Sequence, residues 1–212
     1  MSSDSRDALP GPGEEYNAGP ATRARQAATV ILLRGGTQSL EVLLVKRTPQ
    51  ARFMGGVWVF PGGAVEHDEG EDDSAHRAAA VRELREEAGV EIADVAELVK
   101  FSRWITPAEV KTRFDTHFFL APLPAGQEPR VDGEECVDLG WFTPAGALEA
   151  HASEEILLVF PTIKHLQQLI EFSSARELLE HAAGRAVTPI QPRVVVEGDQ
   201  ARVLLPGEPG YE

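Results

Sequence analysis

Arg82-Glu83-Leu84-Arg85-Glu86-Glu87-Ala88-Gly89-Val90 is the stretch whose reading decides the fold. At about 100° per residue, with Glu83 at zero, Glu86 falls near −60° and Glu87 near +40°. All three carboxylates therefore share roughly a 100° arc of one helix face. Ala80, Val81, Leu84 and Ala88 fill the adjoining arc, an apolar stripe suited to packing on a sheet. Like charges at helical spacing weaken a helix by roughly a few tenths of a kcal/mol. A divalent cation removes that penalty, and oxygen donors without His or Cys favour Mg²⁺ or Mn²⁺ over zinc. A solvated charged face is the plain alternative for an isolated E-x-x-E-E. The flanking residues decide against it.

Outward from this stretch, residues 74–88 have helical composition, with Ser74 as the expected N-cap and Gly89 as the stop. Val30–Leu33, Val42–Val45 and Val57–Phe60 are β-type apolar runs, the last ended by Pro61-Gly62-Gly63. Val95–Phe101, Arg113–Leu120 and Leu139–Phe142 read as further strands. Pro144–Ala150, Glu154–Phe172 and Ala175–Ala183 read as helices, with Pro161 expected to break or kink the second. Val194–Val196 and Val203–Leu205 suggest late strands or an extended tail. Strands and helices mixed in this order predict an α/β protein with a sheet packed between helices.

The 212-residue length fits one good-sized domain. Residues 1–25, rich in Pro, Gly, Ser and charge, read as a disordered or loosely attached tail, and 26–212 as the folded domain. The net charge of −14 and the lack of a Lys/Arg cluster argue against nucleic acid as a partner. Any phosphate ligand then needs cations between it and the protein. No apolar run is long enough to span a bilayer, and the N-terminus has neither a secretory nor a transit pattern, so no membrane partner is expected. Cys136 is the single cysteine, which excludes disulfide frameworks and Cys-based zinc sites. It reads as a small buried residue and not a nucleophile. A reducing, cytoplasmic location is the simplest expectation.

With Phe60-Pro61-Gly62-Gly63 upstream, residues 82–90 resemble the Nudix box, G-x5-E-x7-R-E-U-x-E-E-x-G-U, where U is a bulky aliphatic residue. The right half fits in full, and Gly63 plus five residues reaches Glu69. The middle departs from the pattern: twelve residues, 70–81, stand where seven belong, an insertion of 12 − 7 = 5. Counting back from Arg82 instead places Ser74 at the glutamate position. The upstream acid is therefore open among Glu66, Glu69, Glu71 or none.

The resemblance implies a Nudix-type α/β/α sandwich with a mixed central sheet, and a Mg²⁺- or Mn²⁺-dependent hydrolase of a nucleoside diphosphate derivative. It assigns metal binding to Glu83, Glu86, Glu87 and the Gly62 carbonyl. Glu86 is also a candidate proton acceptor, and Arg82 a structural partner of the glutamates. A further acid is expected from a loop. Glu135, six residues before Trp141, is the candidate, with Glu134 and Asp132 as alternatives.

The stretches 43–48 and 53–63 and the tail 192–211 are similar to the coenzyme A-cleaving Nudix subgroup. That implies CoA or acyl-CoA as substrate, with 4′-phosphopantetheine (or its acyl form) and adenosine 3′,5′-bisphosphate as products. Lys46, Arg47, Arg52 and Arg103 are the candidate phosphate contacts. The C-terminal Gly210-Tyr211-Glu212 does not match a peroxisomal signal. ADP-ribose, NADH or dinucleotide hydrolysis stays open, as do a non-catalytic nucleotide sensor, an isomerase and a homodimer.

Overall fold

The computed structural model describes residues 14–67, 69, 72–197 and 200–211. Its main sheet is built on β1 (Arg25–Arg34), which is buried along most of its length. Val30 and Leu32 belong to one apolar cluster, Ile31 and Leu33 to the other. A strand covered on both faces is apolar at every position, which is why this stretch reads as a continuous run. β1 pairs in parallel with β6 (Phe114–Pro122), which pairs antiparallel with β5 (Val99–Ile105). β2 (Glu41–Arg47) lies antiparallel to β7 (Cys136–Phe142).

β1 and β2 pair with each other only at Leu33–Val42 and Arg34–Glu41. Beyond that they splay, and the segment 58–64 enters between them. β3 (Trp58–Val59) takes the edge of β2, and β4 (Gly62–Ala64) takes the edge of β1. The approach of β4 is close. A Cβ on Gly62 would stand 2.5 Å from the Ala28 carbonyl oxygen and 2.7 Å from the Thr29 Cα, so only glycine fits there.

α1 (Asp73–Ala88) packs on one face of the sheet, with Ala79, Ala80, Leu84 and Ala88 buried against Ala28, Val30 and Leu32. α2 (Pro144–Ala152), α3 (Phe160–Leu169) and α4 (Ala175–Ala182) contribute the core of the other face. This is the expected α/β/α sandwich with a mixed sheet. β8 (Pro189–Ile190) extends the sheet beside β5, and β9 (Arg193–Glu197) pairs with β10 (Gln200–Leu204) as a separate ribbon. No helix among the described residues is long and apolar enough to cross a membrane.

Several local expectations are corrected. α1 is capped by Asp72, not Ser74: the Asp72 carboxylate accepts from the Ala75 N–H at 3.0 Å and from the Ser74 hydroxyl at 2.6 Å. Pro161 does not break a helix. It stands in the first turn of α3, where a missing N–H costs nothing. Leu158 before it bridges to Trp58 in parallel. Residues 95–97 form a 3-10 turn capped by Asp94, and the strand starts only at Val99. Of the 1–25 tail, residues 1–13 lie outside the described residues. The part that follows is tied down: Asn17 N–H donates to the Glu109 carbonyl, Lys111 N–H to that of Glu15, and Thr22 Oγ1 to that of Lys111.

Candidate active site

The packing of α1 fixes where its glutamates go. With Ala80, Leu84 and Ala88 buried on β1, the adjoining arc that carries Glu83 and Glu87 turns toward β4. The left-handed Gly89 (φ 64°) ends the helix one residue later, its N–H donating to the Arg85 carbonyl at 3.0 Å. Glu87 is 2% exposed as a residue. Its Oε2 accepts the Gly62 N–H at 2.9 Å, and its Oε1 stands 3.5 Å from Arg47 Nη1. Glu83 lies against Gly63, where a Cβ would come within 2.4–2.7 Å of its carboxylate atoms. Glu86, half exposed, sits at the rim.

Burial pushes the Glu87 carboxyl up to about 7. The Gly62 N–H opposes this, Glu83 adds to it, Arg47 opposes it and Glu135 adds. Burial also raises Glu83, against the bond and charge of Arg82, with Glu86 and Glu135 adding to the rise. The result is an anionic recess whose buried charge is under-compensated, with a glycine backbone at its wall. That donor chemistry fits a hard divalent cation. Arg82 currently holds two of the three carboxylates. Among the described residues no three His, Cys, Asp or Glu side chains converge as a ligand set.

Arg82 bears on the choice left open by the insertion. Its Nε and Nη2 meet the two Glu69 oxygens at 3.0 and 3.3 Å, and Nη2 also donates to the Ala64 carbonyl at 2.9 Å. Nη1 bridges Glu83 at 2.8 Å and Glu86 at 3.1 Å. Glu66 stands farther off, at 4.0 Å, and Glu71 lies outside the described residues. Among the described residues of the acidic run, Glu69 is the acid that hydrogen-bonds the box arginine, and it stands at the count of five from Gly63. The inserted residues fall after it.

Glu135 is in the turn before β7, and its charge is felt by both Glu83 and Glu87. Asp132 holds that turn by accepting the N–H groups of Glu135 and Cys136 at 2.8 and 2.9 Å. Cys136 is fully buried beside Glu87, and burial together with the Glu87 charge raises its thiol pKa, the opposite of an activated nucleophile.

The four expected phosphate contacts do not gather. Arg47 stands at the glutamates. Lys46 pairs with Trp58, whose side chain is in the cluster under α3, so Lys46 faces away from α1. The charge of Arg52 acts on Glu15, and Arg103 is bound to Asp115 by two bonds of 2.7 and 2.6 Å. Sequence reading missed the Ala64 carbonyl on Arg82 and the closeness of Cys136 to Glu87. Neither leaves a motif, since each joins residues far apart in sequence, Ala64 with Arg82 and Glu87 with Cys136.

The NUDIX domain family matches residues 23–160, about two thirds of the chain. The chain belongs to the Nudix family. Its Nudix helix is α1, and α3, α4 and β8 to β10 fall almost wholly beyond the matched stretch. The human acyl-coenzyme A diphosphatase NUDT19 is 33% identical over 123 residues, which are 56% of this chain and 33% of the human protein. This Nudix chain thus spans about a third of that relative's length. A NUDIX hydrolase from Alicyclobacillus acidocaldarius superimposes with a TM-score of 0.67 at 28% identity, covering 75% of this chain and 96% of that one. The NUDIX domain of Shewanella oneidensis NrtR, solved with ADP ribose, gives 0.54 at 19% identity over 71% of this chain and 88% of that one, a likeness of fold alone.

Proposed function

We propose that this Nudix protein is a Mg²⁺- or Mn²⁺-dependent diphosphatase. It hydrolyses CoA or acyl-CoA to 4′-phosphopantetheine, or its acyl form, and adenosine 3′,5′-bisphosphate. The observation that carries the metal-dependent reading is the buried Glu83–Glu87 pair against Gly62 and Gly63. The choice of substrate is supported by the likeness to the human acyl-coenzyme A diphosphatase. It is also supported by the stretches at 43–48 and 53–63.

Glu83, Glu86, Glu87 and the Gly62 carbonyl would hold the cation, which neutralises diphosphate charge and acidifies a water when bound. The chain's own residues do the rest. Arg82, anchored by Glu69 and the Ala64 carbonyl, sets the orientation of Glu83 and Glu86. Arg47, whose buried Nε has no hydrogen-bond partner, stands beside Glu87 to contact a diphosphate oxygen. Glu86 or Glu135 accepts the proton of the attacking water. The hydroxyl adds to one phosphorus, the P–O bond to the bridging oxygen breaks, and that oxygen leaves on the other phosphate.

Incubation with CoA, acetyl-CoA, ADP-ribose, NADH and dinucleoside polyphosphates, with and without Mg²⁺, tests this by product analysis. Release of adenosine 3′,5′-bisphosphate from CoA, lost with chelator and in Glu86→Gln, is the expected result. Turnover of ADP-ribose, NADH or dinucleotides without CoA overturns the substrate. No turnover of any of them by a protein that binds them favours a nucleotide sensor.

A further inference from the structure

Two segments outside the matched stretch 23–160 converge on one turn inside it. The turn 106–113 joins β5 to β6. Residues 14–22 hold it: Tyr16 bridges to Val110, Asn17 N–H donates to the Glu109 carbonyl at 2.7 Å, and Thr22 Oγ1 to that of Lys111 at 2.9 Å. The β9–β10 ribbon holds it too. Val110, fully buried, packs with Val194, Ala201 and Val203, and Val194 N–H reaches Glu109 Oε2 at 3.3 Å.

Phe114 follows that turn and opens β6. Its N–H donates to Thr106 Oγ1 at 3.0 Å, and its carbonyl accepts the Thr106 N–H at 2.9 Å, so the base of the turn fixes it. Two groups meet its ring: the Arg25 guanidinium at 5.8 Å, and the Phe53 ring at 5.8 Å with 50° between the planes. Phe53 belongs to the loop 48–56, whose other end is rooted at the glutamates. Arg47 N–H donates to the Val57 carbonyl at 2.9 Å, Gly56 N–H to that of Arg47 at 3.2 Å, and Thr48 N–H to that of Glu135 at 2.8 Å. Met54, next to Phe53, has a φ of 53°, a left-handed conformation that a non-glycine residue keeps where its surroundings enforce it.

We propose that Phe114 is a positioning residue for the glutamate site. Through Phe53 it fixes the loop 48–56, and through the loop the places of Arg47 and Glu135. The consequence for catalysis rests on the diphosphatase reading above; the hold on the loop does not. The N-terminal arm and the C-terminal ribbon, neither of them part of the matched stretch, thereby bear on substrate binding through the turn they hold.

The test is amide hydrogen exchange of the chelator-treated full chain, read at Thr48 and Gly56 against amides in the middle of β1 and β6. Phe53→Ala and Phe114→Ala should each speed exchange at Thr48 and Gly56 about three- to tenfold relative to those references. The double variant should go no further than either alone. Phe53→Tyr keeps the ring and should exchange like the parent, whereas Val110→Ala loosens the turn and should speed the same two amides. Kinetics with Mg²⁺ use whichever of CoA, ADP-ribose, NADH and dinucleoside polyphosphates the parent hydrolyses. KM should rise by a similar factor in both Phe→Ala variants while kcat changes less, the mark of a displaced Arg47. Unaltered exchange in both variants, additive effects in the double variant, or faster exchange with an unchanged KM overturns the proposal. Parental exchange in Val110→Ala overturns the part given to the arm and the ribbon. A parent inert toward all of these compounds overturns the diphosphatase reading instead, and the exchange cycle still decides whether Phe114 holds the loop.

Discussion

Glu87→Gln should separate stability from activity and move them in opposite directions. Glu87 is 2% exposed, and its carboxyl is held near 7 instead of the ordinary 4.5. At ~1.4 kcal/mol per pH unit, that difference corresponds to roughly 3 kcal/mol. For a raised carboxyl the folded state binds the extra proton, so stability falls as pH rises from about 4.5 to about 7. Above that window the charged form costs the chelator-treated protein the full amount. Gln is isosteric, keeps an oxygen for the Gly62 N–H and carries no charge.

In the presence of chelator, Glu87→Gln should therefore raise stability at pH 8 by about 2–3 kcal/mol, and by under about 1 kcal/mol at pH 5. For a chain of this length that is roughly 5–10 °C in Tm. Urea melts of both proteins at the two pH values measure the difference, and titrating groups remote from Glu87 cancel in the comparison. Diphosphatase activity should meanwhile fall by orders of magnitude. A variant no more stable than the parent at pH 8 would refute the claim that uncompensated charge at Glu87 is what the recess carries.

Other perturbations probe the supports of the site. Gly63→Ala puts a Cβ 2.4 Å from Glu83 Oε1, so turnover should collapse with little change in Tm, whereas Gly62→Ala meets the β1 backbone and should lower both. Thermal melts run beside kinetics separate the two. Leu84→Ala, at a fully buried position under the helix, should cost about 2–4 kcal/mol, seen as a lower denaturation midpoint. His165, fully enclosed and bonded to Ser102 and the Pro161 carbonyl, is held near 4. A depressed histidine loses stability as pH falls from its usual 6.5 toward 4. Denaturation of His165→Gln across that range should show a flatter slope than the parent.

The glutamate face of α1 was legible because a helical period reports directly which side chains share a side. β1 was legible because a strand buried on both faces is apolar throughout. The failures have physical causes of the same kind. Asp72 and Ser74 are both good caps by residue type, and only the backbone, extended at Asp72 and helical from Asp73, decides between them. Pro161 has the same local sequence whether it breaks a helix or begins one, and the Trp58–Leu158 bridge determines which. Lys46 and Arg47 are neighbours in sequence, yet the partner strand puts one under α3 and the other at Glu87. Arg103 reads as a free cation until Asp115, twelve residues on, is folded against it.

The double grip of Glu69 on Arg82 has a consequence for how such chains are found. Glu69 is fastened to the middle of α1, and Asp72 is fastened to its start. Nine of the twelve residues between Glu69 and Arg82, 73–81, lie in α1, so the helix itself carries more residues than the whole spacing of the pattern. The count between the halves of the box thus departs from the pattern while Glu69 still reaches Arg82. A search by fixed spacing will overlook members of this kind. A search that asks which upstream acid can reach the arginine will recover them.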